Sequence, residues 1–112
     1  MKEPSERKRN LITVRLSDSD METVNYMSER TNRSTSDTVL RACKFGFNVK
    51  DIFDEEDENE KWGVSRKQQI HLRITDSDKK LFDNYSAEVG KPISQIVRAS
   101  IRAYSRSLGG GF

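Results

Sequence analysis

One cysteine, one histidine and two prolines are all that the 112 residues hold of these types. No apolar run approaches the ~18 residues that a membrane-spanning helix needs. Cys43, being alone, excludes a disulfide framework within the chain and any cysteine-based zinc site. His71 has no second ligand at a sensible spacing, so no metal is expected. No Ser/His/Asp set, phosphate-binding glycine loop or catalytic carboxylate pair stands out, so neither an enzyme nor a cofactor is expected. The acids of the middle segment lack the alternating Asp/Asn and Gly spacing of a calcium loop. Met1–Asn10 is charged rather than apolar and does not read as a signal peptide, which makes a cytoplasmic location the expectation. Hydrophobic residues make up 33% of the chain and charged residues 34%. That is too polar for two self-sufficient small cores, so two units in this chain have to share one.

Net charge is only +2, which hides an asymmetry. Residues 48–62 hold seven acids (Asp51, Asp54, Glu55, Glu56, Asp57, Glu58, Glu60) and two bases (Lys50, Lys61), a net of −5. The rest of the chain carries a net of +7. An acidic segment between basic blocks suggests a solvated linker between modules that meet a polyanion, although charge alone favours the plainer reading of a soluble surface.

What the chain does have is self-similarity at an offset of 58 residues. Asn10–Asp20 lines up with Gln68–Asp78: Ile12 with Ile70, Val14 with Leu72, Arg15 with Arg73, Leu16 with Ile74. Asp18-Ser19-Asp20 recurs unchanged as Asp76-Ser77-Asp78. Each unit opens with period-2 alternation, which predicts strands over 11–16 and 69–74 with one buried face. Ser17-x-x-Asp20 and Thr75-x-x-Asp78 resemble capping boxes, with Asp in place of Glu. The first helix of unit one should bury Met21, Val24 and Met27; that of unit two, Leu81, Phe82, Tyr85 and Val89. Asn32 and Gly90 suit a left-handed helix end, and Pro92 is tolerated where a second helix begins. The second helices should bury Val39, Leu40, Cys43 and Phe47, and Val97, Ile101, Tyr104 and Leu108. Each unit thus reads strand, helix, helix, with one strand that has no partner in its own unit. Pairing strand 11–16 antiparallel with strand 69–74 satisfies both backbones, and four helices can then cover the ribbon's apolar face. A basic arm (1–9), repeat one (10–47), an acidic linker (48–67), repeat two (68–108) and a flexible tail (109–112) follow as the organisation. The fold class is α+β, mostly helical. Trp62 in the linker is open between docking on the core and contacting a partner.

Strand, helix, turn, helix, with a partner strand completing a ribbon, resembles the ribbon-helix-helix family of Arc, MetJ and CopG. Gly90-Lys-Pro-Ile-Ser94 resembles the Gly-x-Ser-x-Ser turn of CopG-type repeats, with Pro92 replacing the first Ser. Unit one has one more residue there, as in Arc-like turns, and Asn32 stands where Gly is usual. The fused pair is similar to TraY-like tandem proteins of conjugative plasmid relaxosomes and to tandem viral repressors. The resemblance implies an intramolecular pseudo-dimer that binds double-stranded DNA by laying the ribbon in the major groove. It also implies a setting: a relaxosome accessory protein partnered by a relaxase or other relaxosome proteins, several copies side by side on DNA, or alternatively a repressor of transcription. An antitoxin-like protein-binding module is a third reading.

If the apolar alternation faces the helices, the opposite face carries Leu11, Thr13, Arg15, Gln69, His71 and Arg73. These map onto the family's base-reading positions. Arg suits guanine and Gln suits adenine through paired hydrogen bonds, and Thr can touch a thymine methyl. Leu11 departs from the polar pattern. Because the two triplets differ, the expected target is not a strict palindrome. The starts of the second helices (Arg33, Ser34, Thr35, Ser36; Lys91, Ile93, Ser94) are the family's phosphate clamps, though capping by Ser alone accounts for the same residues. Arg7, Lys8 and Arg9 before the first strand, and Arg66 and Lys67 before the second, would add salt-sensitive affinity. Cys43 sits in an apolar stripe and reads as core.

Overall fold

The computed structural model describes residues 7–49, 52–53 and 64–108. The start of the basic arm, most of the acidic linker with Trp62, and the tail 109–112 lie outside the described residues. In order, the elements are β1 (Asn10–Leu16), α1 (Asp18–Thr31), α2 (Thr35–Gly46), β2 (Gln68–Ile74), α3 (Asp76–Val89) and α4 (Ile93–Ser107). The chain is α+β and mostly helical, and a two-stranded antiparallel sheet joins β1 to β2. Both strands start one residue earlier than the alternation predicts. The 58-residue offset carries over to the start of every element in the second half.

The face that each strand buries follows from the alternation. Ile12, Val14, Leu16, Ile70, Leu72 and Ile74 all point into the core, and side chains on a strand alternate between faces. Four helices cover that face in a crossed arrangement. α2 of the first half packs on β2, α4 of the second half packs on β1, and α2 against α4 is the most extensive helix pair. Val24, Met27, Val39, Ala42, Cys43, Phe82, Val97 and Ile101 complete one core built from both halves. Burial pushes the Cys43 thiol well above its ordinary value, so it is an inert core group.

Helix ends obey the expected chemistry. The Ser17, Ser34 and Thr75 hydroxyls accept from the backbone N–H groups of Asp20, Asp37 and Asp78 at 3.1 Å each. α1 and α3 close on Asn32 (φ 55°) and Gly90 (φ 69°), both left-handed. Each following turn is tied by a serine hydroxyl donating to a carbonyl: Ser28 to Arg33 and Ser86 to Lys91.

Three expectations need correction. Leu81 is 46% exposed, because it lies about 100° around the helix from Phe82, which takes the core position. Leu108 is 37% exposed; it is the C-cap of α4, beyond its last turn, where no described element covers it. The stretch after α2 is not solvated throughout: Ile52 is 3% exposed in a second small cluster with Ala99 and Ala103, and Phe45, Val49, Phe53 and Tyr85 pack around it.

Candidate nucleic-acid interface

The face of the ribbon turned away from the helices carries the six residues the alternation singles out, and all six are exposed. Their opposition is now defined. Leu11 faces Arg73, Thr13 faces His71, and Arg15 faces Gln69. Thr13 and His71 occupy corresponding places in the two repeats and are also each other's partner. Their side chains are joined at 3.1 Å, Oγ1 to Nδ1. The two ends of the face therefore differ: one presents Arg15 with Gln69, the other Arg73 with Leu11. At ~3.4 Å per residue, the end pairs stand ~14 Å apart, a spacing of about four base-pair steps along one DNA strand.

The helices hold this face from behind. Arg98, buried in α4, donates from Nη1 to the Arg15 carbonyl at 3.1 Å. Ser36 at the start of α2 makes a longer 3.4 Å contact with the His71 carbonyl. Lys8, Ser34, Ser36 and Arg73 share the lining of a shallow recess of about 80 Å³ with Asp37, Leu40, Leu72 and Ile74. Arm, helix start and ribbon are thus brought together on one side.

The two helix starts are not alike. At α2, Asp37 lies in the first turn. Its carboxylate accepts from Arg41 Nε at 3.0 Å and faces Arg33 Nη1 at 3.4 Å. Arg41, then Arg33, hold Asp37 below the usual carboxylate range. An ionised Asp at a helix start satisfies the dipole and competes there with any other anion. At α4 there is no acid in the first turn and Pro92 makes no side-chain cap. Ile93 and Ser94, both half-buried, begin that helix, where backbone N–H groups lack an intrahelical partner.

Several predicted basic contacts already have intramolecular company. Arg9 pairs with Asp76 at 2.9 Å. The Lys91 ammonium lies 5.7 Å from the Phe53 ring centroid. Arg66 is half-buried, whereas Arg7, Lys8 and Lys67 are exposed, and Thr35 is half-buried.

The carboxylates of the repeated Asp-Ser-Asp join the two repeats. Asn10 Nδ2 donates to Asp76 at 2.8 Å, and its counterpart Gln68 Nε2 donates to Asp18 at 3.0 Å. Arg102 pairs with Asp20 at 3.0 Å, and its counterpart Lys44 pairs with Asp78 at 3.3 Å. All four acids bridge to the opposite repeat. The partners were missed because they are scattered singly through strands and helices; only the 58-residue offset relates them. Among the described residues, no group of three or more His, Cys, Asp or Glu is placed to hold a metal, and no helix is long and apolar enough to cross a membrane. No family model, curated protein or solved structure gives a significant match to this chain.

Proposed function

We propose that this chain is a tandem ribbon-helix-helix protein, an intramolecular pseudo-dimer that binds double-stranded DNA sequence-specifically by inserting its β-ribbon in the major groove. The observation that carries the reading is the ribbon's outward face. A two-stranded ribbon fits the major groove, and this one presents two exposed arginines at opposite ends with polar groups between and, among the described residues, no helix in front. Arg15 and Arg73 each reach a guanine, Gln69 an adenine, Leu11 a thymine methyl, and the joined Thr13–His71 pair lies over the centre. Because the ends differ, the site is not a palindrome. Free N–H groups of Ile93 and Ser94 take a backbone phosphate at the start of α4, while Asp37 makes the start of α2 the weaker clamp. Exposed Arg7, Lys8 and Lys67 supply affinity without sequence information.

The test is selection from a random duplex pool with the full-length protein and with Arg15→Ala/Arg73→Ala. The wild type should enrich one short asymmetric motif. Losing two bidentate contacts at ~1–3 kcal/mol each should erase the preference, leaving weak binding that falls steeply with salt. No enrichment by the wild type, or specificity that survives the double substitution, would refute the ribbon as the reading element. Where the motif lies, beside a nicking region or across a promoter, distinguishes a relaxosome role from repression.

A further inference from the structure

The two repeats differ in side-chain size where α2 crosses α4. At the 58-residue offset, Ala42, Phe45, Gly46 and Phe47 correspond to Ser100, Ala103, Tyr104 and Ser105. Large and small residues are exchanged between the two lists. Gly46 approaches Ser100 so closely that a Cβ at position 46 would stand 2.3 Å from the Ser100 Oγ and 3.0 Å from its Cβ. Beside it, the Phe45 ring lies 5.5 Å from that of Tyr104 and packs on the cluster that contains Ala103. Phe47 meets Phe82 of α3 edge-on at 5.1 Å and Tyr85 at 5.2 Å.

Like repeats could not reproduce this. If repeat two met a copy of itself, Tyr104 would take the place of Gly46 opposite Ser100, where even a methyl group would force the Ser100 side chain aside. If repeat one met itself, Phe45 would find Gly46 in place of Tyr104, and the ring contact would become a void. Voids and overpacking both cost in a close-packed interior. The two failures reinforce each other: two chains that join their first repeats leave two second repeats, which must then pair with each other or stay open.

We infer that the α2–α4 crossing is a selective pairing surface whose partner is the unlike repeat, from the same chain or a second copy, and that it rejects pairing between like repeats. The ribbon then always carries one strand of each kind. This surface acts whether or not the ribbon reads DNA.

Cysteines placed at opposed ribbon positions test it in the full-length chain. Directly opposed strand residues are about 4.5–5.5 Å apart at Cα, within disulfide range. Thr13→Cys, His71→Cys, both together, and Asn25→Cys as an exposed control on α1 would be refolded at high concentration in a thiol–disulfide buffer. Products would be resolved under denaturing, non-reducing conditions. Thr13→Cys/His71→Cys should close its disulfide, within one chain or between two that have exchanged repeats. Each single variant should form covalent dimer no faster than Asn25→Cys. Dimer above that background from Thr13→Cys or His71→Cys would overturn the inference. So would failure of the double variant to close, checked with the second opposed pair Arg15→Cys/Gln69→Cys.

Discussion

Arg102→Met separates the two halves of a repeated design into a strong and a weak member. Arg102 reaches both oxygens of Asp20 from Nη1, at 3.0 and 3.3 Å. Its side chain is 12% exposed and that of Asp20 is 2%. The corresponding Lys44–Asp78 pair is about as close, at 3.3 Å, but its side chains are 50% and 15% exposed. Distance does not separate the pairs; water does. Breaking a buried pair by removing one partner costs ~3–5 kcal/mol, because a charge is left without its counter-ion in a poor solvent. An exposed pair is worth ~0–1 kcal/mol. Since Arg102 lies near the rim, the low end applies, so ~3 kcal/mol is expected for Arg102→Met and below ~1 kcal/mol for Lys44→Met. At about 4–8 °C per kcal/mol for a domain near this size, Tm should fall by ~12–24 °C in the first case and by less than ~8 °C in the second. Urea unfolding at unchanged m-value measures the same difference directly. Met keeps much of the apolar stem, so most of the loss belongs to the charge. Asp20→Asn added to Arg102→Met should therefore recover part of the stability. Equal losses at both positions, or a double variant no better than Arg102→Met, would refute burial as the deciding factor.

Gly46→Ala should cost ~1–3 kcal/mol in chemical denaturation, as overpacked cores do, and adding Ser100→Gly should restore part of it by removing the Oγ that the new methyl meets. Because Asp37 is held below its ordinary 3.8 by Arg41 and then Arg33, the stability it contributes is present above that value and is lost as pH falls through its lowered folded one; an NMR titration of its carboxyl should show a midpoint below 3.8, moved upward by Arg41→Ala. Cutting the chain between Glu58 and Lys61 makes an intramolecular pairing bimolecular, so unfolding should become concentration-dependent, with the midpoint falling on dilution; at an effective concentration of about 1 mM in the intact chain, halves at ~1 μM lose ~4 kcal/mol.

Most of the fold was legible because its signals are local or repeated. Alternation at Ile12–Leu16 and Ile70–Ile74 is a strand pattern that needs no tertiary knowledge. Ser17, Ser34 and Thr75 cap because their hydroxyls meet N–H groups three residues on, and Asn32 and Gly90 end helices because they tolerate positive φ. The six outward residues of the ribbon follow from parity alone. What the sequence hid is long-range. Leu81 and Phe82 both fit an apolar stripe, and only the placement of α3 decides which turns inward. The roles of Asn10, Gln68, Lys44, Arg98 and Arg102 depend on partners more than 30 residues away in the chain. The burial of Ile52 depends on α4 passing within reach. Ser17-x-x-Asp20 and Thr75-x-x-Asp78 resemble capping boxes, and the hydroxyls do cap; the Asp carboxylates instead reach across the repeats, and no local rule announces that.

Those cross-repeat bonds also answer a question that alternation leaves open. A one-residue slip of β1 against β2 would turn Ile12, Val14 and Leu16 toward water, so burial forbids it. A two-residue slip would keep every apolar side chain on the core face, and strand patterning alone does not exclude it. It would, however, shift one strand end by ~7 Å against the other repeat. Asn10 could then no longer reach Asp76, nor Gln68 reach Asp18, and Gly46 would lose its seat opposite Ser100. The apolar pattern chooses the face, and the polar bonds at both strand ends, with the close helix crossing, choose the register. Register is what places Arg15 beside Gln69 and Arg73 beside Leu11. In the proposed DNA reading, the order of contacts along the groove is thus set by Asp18, Asp76 and Gly46, residues that need not touch a base, as firmly as by the arginines that do.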